Sequence, residues 1–82
     1  MKIYWHNDKK NIIGDRVKIA RKMQKPQITQ KDLSAKLESI GIMLDRISIN
    51  RIENGNRFVA DYELLALSKV LKVSVDWLLD NE

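Results

Sequence analysis

The stretch DRISINRIENGNR, residues 45–57, carries the most informative pattern in the chain. Read as a helix at about 100° per residue, it places Ile49 and Ile52 about 60° apart, with Ile47 about 160° away from Ile49. Two of these isoleucines therefore face a core and the third faces outward. Three polar side chains lie within about 60° of Ile47 by the same count: Asn50, Arg51 and Asn54. This mixed outer face is a candidate binding surface.

Start and stop signals frame this segment and the helix before it. Asp45 is a typical N-cap, and Gly55 stands just past the expected helix end, where a left-handed residue is common. Upstream, the stretch TQKD places Thr29 at a cap position and Asp32 three residues later, which is a capping-box pattern. The helix that Thr29 opens buries a predicted stripe of Leu33, Leu37 and Ile40, and Gly41 is placed to end it.

Three further helices complete the predicted fold. The first spans about 12–24, with Ile13, Val17, Ala20 and Gln24 on one stripe and Pro26 closing it. DYELLALSKVL, residues 61–71, is apolar on most sides and predicts a central helix. Ser74 caps a short last helix, VDWLLDN, residues 75–81. Residues 1–11 fit none of these patterns and are expected to form a loose N-terminal arm, leaving 12–82 as one all-α, five-helix domain.

Charge is distributed unevenly along the chain. Residues 1–57 carry 13 Lys and Arg against 6 Asp and Glu, a balance of +7, whereas residues 58–82 carry 2 against 5, a balance of −3. A basic segment of this kind suits a nucleic acid or an acidic membrane surface, although a solvated surface explains many such excesses. The basic part coincides with the mixed helix face.

Several function classes are disfavoured by composition. Cysteine is absent, which removes disulfides and thiolate metal sites and fits a reducing compartment. No apolar run is long enough for a membrane span or a signal peptide, so a cytoplasmic protein is expected. His6 is the single histidine, so neither a catalytic triad nor a metal cluster can be built around it, and Trp77 reads as a core residue. An enzyme, a cofactor and a small-molecule ligand are therefore not expected.

Three motifs in combination resemble the lambdoid repressor and Cro type of helix-turn-helix regulator, also called the xenobiotic-response-element family. They are TQKDLSAKL, ISINRIENGNR and KVSVDWLL, and the resemblance covers residues 12–80. Three departures accompany it: the turn ESIGIMLD between the second and third helices and the connection KPQI are longer than is typical, and Ala60 stands where many relatives have a Ser or Thr cap. The longer turn predicts an altered angle of the third helix.

The resemblance implies a role for each residue of the mixed face. In such folds the third helix enters the major groove, so base reading falls to Arg46, Ile47, Asn50 and Arg51. Arginine offers paired donors to guanine, and Ile47 can pack on a thymine methyl, although it also reads as a scattered surface hydrophobe. Phosphate contacts are expected from the start of the second helix and from the turn after the third: Gln30, Lys31, Asn54, Asn56 and Arg57. Lys31 reads equally as part of a solvated face.

One charged pair is expected to be structural. Arg21 follows Val17 by four residues and Glu53 follows Ile49 by four, so both fall on the core side of their helices, where an isolated charge is costly. The resemblance also implies an Arg and a Glu at these positions, joining the first helix to the third. The sequence therefore predicts an Arg21–Glu53 ion pair.

The expected function is a sequence-specific DNA-binding regulator, most simply a repressor that occupies an inverted-repeat operator in double-stranded DNA. A homodimer through the C-terminal region is expected, because residues 73–79 are more apolar than one short helix needs: Val73, Val75, Trp77, Leu78 and Leu79. Two alternatives remain open, a protein-interaction module that keeps the fold and an antitoxin that binds a protein partner as well as its own operator.

Overall fold

The computed structural model describes residues 8–81, and this part of the chain folds into five helices with no strand. The helices are α1 Gly14–Met23, α2 Gln30–Glu38, α3 Arg46–Glu53, α4 Asp61–Leu71 and α5 Val75–Leu78. The predicted all-α, five-helix architecture is confirmed. The first seven residues of the predicted arm, which include His6, lie outside the described residues, as does Glu82.

A single apolar core holds the helices together. Its twelve buried side chains come from all five helices and from the segments before α1 and α3: Ile13, Val17, Ala20, Leu33, Leu37, Leu44, Ile49, Ile52, Ala66, Leu67, Leu71 and Leu78. Because α4 packs against α1, α2 and α5, it takes the central position that its apolar sequence predicts.

The predicted N-caps are present. The Thr29 hydroxyl accepts from the amide of Asp32 at 3.0 Å, and the Asp32 carboxylate accepts from the amide of Thr29 at 2.9 Å. Asp45 accepts from the Ser48 amide at 2.7 Å, and Ser74 accepts from the Trp77 amide at 2.9 Å. The starts of α2, α3 and α5 are therefore determined locally by side chains that satisfy free backbone donors.

One expectation about the buried stripes was wrong. Ile40 is 51% exposed, because α2 ends at Glu38 and Ile40 lies in the turn beyond it. Ile42 packs on the core instead, and its amide donates to the Leu37 carbonyl at 3.0 Å. Gln24, expected on the stripe of α1, lies just past the end of that helix, and its half-buried side chain donates to the carbonyls of Ala20 and Leu71.

The long turn between α2 and α3, residues 39–45, is tied to the core at several points. Gly41 has the positive φ of 85° that a left-handed turn residue needs. Leu44 is buried, and its carbonyl accepts from the Ser34 hydroxyl at 2.6 Å. The extra residues therefore form an ordered connection that brings the start of α3 against α2.

Candidate nucleic-acid interface

The outer face of α3 has the mixed character that its periodicity predicts. Ile49 and Ile52 are fully buried, whereas Ile47 is 59% exposed. Arg46, Asn50 and Arg51 are exposed on the same helix. The four residues predicted to read bases are thus all accessible on α3, two of them arginines and one an apolar residue.

Glu53 is the point at which α1, α2 and α3 are joined. Its carboxylate accepts from Arg21 twice, at 2.9 Å from Nε and at 3.1 Å from Nη2, and from Gln30 Nε2 at 3.1 Å. The side chains of Arg21 and Glu53 are only 11% and 2% exposed. Arg21 Nη1 also donates to the Ile28 carbonyl at 3.0 Å. The two residues predicted to pair therefore lie in contact and fix the orientation of α3.

Gln30 connects the predicted phosphate contacts to the predicted base readers. It is the first residue of α2, and besides Glu53 its Nε2 donates to Asn50 Oδ1 at 3.3 Å. Lys31 and Arg46 border the same surface recess as Gln30, so the starts of α2 and α3 are neighbours. An anion placed there would meet the free amides and positive dipole end of α2.

The turn that follows α3, residues 54–57, is called the exit turn below. Gly55 has φ 78°, and its amide donates to the Ile52 carbonyl at 3.0 Å. The amide of Asn56 donates to the Arg51 carbonyl at 2.8 Å. This pair of hydrogen bonds is a Schellman ending, which requires the left-handed conformation that glycine adopts without strain. The side chains of Asn54 and Asn56 are left exposed on either side of Gly55.

The capping carboxylates at the starts of α2 and α3 have lowered pKa values. The pKa of Asp32 lies below its ordinary value mainly because its carboxylate accepts from the Thr29 amide. The pKa of Asp45 lies below its ordinary value mainly because it accepts from the Ser48 amide. Both side chains are therefore ionised at neutral pH and complement the positive ends of their helices.

A family model described as helix-turn-helix matches residues 17–78 of this chain. The chain belongs to the helix-turn-helix family. Among solved structures, it is similar to the P22 c2 repressor protein, crystallised in complex with synthetic operator 9T in the presence of Tl+. The two share 29% sequence identity with a TM-score of 0.70, and the match covers 88% of this chain and 98% of that one. No curated protein matches the chain. The predicted lambdoid-repressor type of helix-turn-helix fold is confirmed.

Arg57 of this helix-turn-helix domain makes more internal contacts than the sequence suggests. Its Nη1 and Nη2 donate to the two carboxylate oxygens of Glu63 at 3.0 and 3.1 Å, and Nη1 also donates to the Phe58 carbonyl at 2.9 Å. Its side chain keeps 30% of its exposure. A phosphate could therefore meet only the outer edge of this guanidinium, which already holds a protein partner.

The Arg57–Glu63 pair supports the helix start that lacks a hydroxyl cap. Ala60 offers no side-chain acceptor, and Glu63 instead accepts from the Ala60 amide at 2.9 Å. Burial alone would raise the pKa of Glu63, but the hydrogen bonds from Arg57 and from the Ala60 amide outweigh it and hold the pKa below its ordinary value. The hydrogen bond to Glu63 likewise raises the pKa of Arg57.

Asn11 is the structural residue of this region that the sequence reading missed. Its side chain bridges the start of α1 and the exit turn through four hydrogen bonds. An asparagine just ahead of an apolar stripe is a usual start signal for a helix and could have identified it. Residues 8–11, placed in the predicted arm, lie next to the exit turn, where the Lys10 amide donates to the Gly55 carbonyl at 2.8 Å.

The C-terminal apolar residues divide between core and surface. Leu78 is fully buried, while the other four are half-buried: Val73, Val75, Trp77 and Leu79. The guanidinium of Arg16 stacks over the Trp77 ring at 4.6 Å from its centroid and pairs with Asp80. The indole is thus covered on one face by α1, and part of the apolar surface remains open to solvent.

Other kinds of site are not found in the part of the chain that the structure describes. Among residues 8–81, no group of His, Cys, Asp and Glu could hold a metal ion. None of the helices there is long and apolar enough to cross a membrane. A surface groove runs between the end of α2 and the outer face of α4, lined in part by the exposed side chains of Ile40, Tyr62 and Leu65.

Proposed function

We propose that this helix-turn-helix protein is a sequence-specific transcriptional regulator that binds double-stranded DNA with α3 in the major groove. The observation that carries the proposal is the exposed face of α3, where Arg46, Ile47 and Arg51 stand on a helix whose orientation is held by the Glu53 contacts. The similar P22 c2 repressor was crystallised with an operator. An enzymatic role is not proposed.

Base recognition follows from the chemistry of the α3 side chains. A guanidinium can donate two hydrogen bonds to O6 and N7 of guanine, which assigns Arg46 and Arg51 to G·C pairs. Ile47 can pack on the C5 methyl of thymine, and the amide of Asn50 can pair with N6 and N7 of adenine. Since Gln30 donates to Asn50 Oδ1, it orients this amide before DNA arrives.

Phosphate contacts would come from both sides of α3. Gln30 and Lys31 stand at the start of α2, where free backbone amides favour an anion. Asn54, Asn56 and the outer edge of Arg57 stand at the exit turn. Such contacts position the domain on the duplex without carrying sequence information.

We propose further that the regulator binds as a twofold dimer and represses by occupying an inverted-repeat operator. A single α3 would read too few base pairs for genomic specificity. In helix-turn-helix dimers the two recognition helices lie about 34 Å apart, which is one turn of DNA. Half-buried Val75, Trp77 and Leu79 offer apolar surface at the C-terminal end. The acidic charge of residues 58–82 would keep that end away from phosphate.

Selection of bound sequences from a random duplex library tests this proposal. Enrichment of an inverted repeat is expected, and Arg51→Ala or Ile47→Ala should then weaken the selected site by about 1 to 3 kcal/mol while leaving random duplex nearly unaffected. Gln30→Ala should weaken both. No enrichment, together with no salt-sensitive binding to random duplex, would remove the proposal.

The dimer has its own test. Protein is titrated onto the selected duplex and onto a half-site of the same length. Tighter binding of two protomers to the full site is expected, because the second protomer gains protein contacts as well as DNA contacts. Equal affinity, with one protomer per duplex in both titrations, would leave a monomeric regulator.

The alternative is a protein-interaction module or an antitoxin that keeps this fold. The observation that favours it is the amount of exposed apolar surface, including Ile47 at 59% and Tyr62 at 62%. The library selection separates a regulator from an interaction module, because the module would enrich no DNA sequence. An antitoxin that represses its own operon would enrich one, as a regulator does, and would in addition bind a protein partner.

A further inference from the structure

Residues 9–11 pack directly on the exit turn. The Lys10 amide donates to the Gly55 carbonyl at 2.8 Å, and the aliphatic stem of Lys9 covers Gly55, where an added Cβ would lie 2.8 Å from Lys9 Cδ. Asn11 Nδ2 donates to the carbonyl of Ile52 at 3.1 Å and to that of Arg57 at 2.8 Å. One side chain therefore joins the last turn of α3 to the end of the exit turn.

Asn11 also determines where α1 begins. Its Oδ1 accepts from the amides of Ile13 and Gly14 at 3.1 and 2.9 Å, two of the free donors at that helix end. Four hydrogen bonds account for both donors and both lone pairs of the amide. The Oδ1 contacts are with the start of α1, and the Nδ2 contacts are with the end of α3 and the exit turn. The amide therefore links the positions of these two segments.

The contact between α1 and α3 leaves no space for a side chain at Gly14. A Cβ added at Gly14 would lie 2.3 Å from the Ile52 carbonyl oxygen and 2.9 Å from that of Glu53. The start of α1 thus lies against the last turn of α3. A smaller side chain at position 11 would leave the Arg57 carbonyl without this partner and would remove the side-chain link between the exit turn and the start of α1.

We infer that Asn11 is a positioning residue for DNA binding, which holds the exit turn so that Asn54 and Asn56 meet phosphate groups. This inference rests on the proposed function. Asn11 itself does not touch DNA in this arrangement, because its hydrogen-bonding groups are all directed at backbone atoms of the domain. Its effect passes through the backbone of residues 52–57.

A double-mutant cycle on DNA affinity tests this role. In the wild type, Asn56→Ala should lower the affinity for random duplex about three- to tenfold, the range expected for one hydrogen bond. In an Asn11→Ala background, the same change should cost less than about twofold, because the turn is already displaced and the two effects cease to add. As a control, Lys31→Ala on α2 should cost the same factor in both backgrounds.

Stability must be separated from positioning. The serine of Asn11→Ser keeps a capping hydroxyl for α1 but cannot reach both carbonyls. This variant should therefore melt closer to the wild type than Asn11→Ala does. In its background Asn56→Ala should still lower the duplex affinity by less than about twofold. Val70→Ala, a change in a half-buried side chain of α4 away from the exit turn, is the control for lowered stability alone. It should leave the affinity and the Asn56→Ala effect unchanged at a temperature where all variants are folded.

Each outcome has a distinct meaning. Full additivity of Asn11→Ser and Asn56→Ala in folded protein would overturn the inference and leave Asn11 as a structural cap. Absence of any Asn56→Ala effect in the wild type would also overturn it, by removing the exit turn from the interface. If the wild type fails to bind duplex at all, the proposed function fails first, which is visible before any variant is made.

Discussion

The two Arg–Glu pairs match in the number and length of their hydrogen bonds but have very different surroundings. Arg21–Glu53 and Arg57–Glu63 each make two hydrogen bonds of 2.9 to 3.1 Å between guanidinium and carboxylate. The first joins residues 32 positions apart on α1 and α3, whereas the second spans six positions around one turn. The first is 11% and 2% exposed, the second 30% and 9%.

This difference in burial predicts different contributions to stability from two pairs whose hydrogen bonds have similar lengths. Water can solvate part of Arg57 if its partner is lost, but almost none reaches the carboxylate of Glu53. A buried charge without a partner is costly, while an exposed pair contributes little. Arg21–Glu53 should therefore control the stability and orientation of α3, and Arg57–Glu63 should make a smaller, local contribution at the start of α4.

The largest expected effect is on Arg21. Arg21→Ala should lower the free energy of unfolding by about 3 kcal/mol, at the lower end of the range for breaking a buried pair because Gln30 keeps its hydrogen bond to Glu53. Lys22→Ala, an exposed change on the same helix, is the matched control. Denaturant unfolding measures both. Equal midpoints for Arg21→Ala and Lys22→Ala would show that the buried pair contributes no more to the free energy of unfolding than an exposed side chain. The contrast with Arg57–Glu63 would then fail.

A smaller loss is expected for the second pair. Arg57→Ala should cost about 1 to 2 kcal/mol, because Glu63, whose side chain is 9% exposed, keeps the Ala60 amide as a donor. If Arg57 also contacts phosphate, the same variant should lower affinity for specific and random duplex by a similar factor. A loss of stability without any change in duplex affinity would make this arginine purely structural.

Restoring the missing hydroxyl at the start of α4 should have the opposite sign. Ala60→Ser should raise the free energy of unfolding by about 0.5 to 1 kcal/mol, since the extended backbone of Ala60 already suits an N-cap and Glu63 supplies the reciprocal contact. Thermal melts of Ala60→Ser and of Ala60→Gly compare the gain with a residue that lacks the acceptor. A destabilised Ser variant would mean that Arg57 and Glu63 leave no place for the hydroxyl.

The smallest effect concerns acid stability. The pKa values of Glu63, Asp32 and Asp45 lie below their unfolded values, so the stability these groups provide is complete above about pH 4 to 5 and is lost as pH falls through the lower folded pKa. Glu63→Gln should flatten the fall in the free energy of unfolding between about pH 5 and pH 2. An unchanged slope would show that Glu63 titrates alike in both states.

Local structure was predictable wherever one side chain meets nearby backbone. Thr29, Asp45 and Ser74 each satisfy an amide three residues or fewer away, so the residue type and its position suffice to place a helix start. The inward direction of Ile49 and Ile52 and the outward direction of Ile47 follow from helical spacing alone. The contact between Arg21 and Glu53 was predictable for a related reason. Two opposite charges on core-facing stripes are costly to bury apart, so they are expected to pair.

What remained hidden was the choice of partner for polar side chains. Arg57 could bind phosphate or protein, and only the conformation of the turn after α3 brings Glu63, six residues later, within its reach. Asn11 is far in sequence from the exit turn, and only the packed fold sets it between that turn and α1. Ile40 follows the helical stripe of α2, yet the helix ends two residues before it, and the half-buried Ile42 packs against the core instead. Helix periodicity and capping depend on residues within about one helical turn of each other, so they can be predicted from the sequence. The choice of partner for a long polar side chain depends on distances across the core, which only the tertiary structure decides.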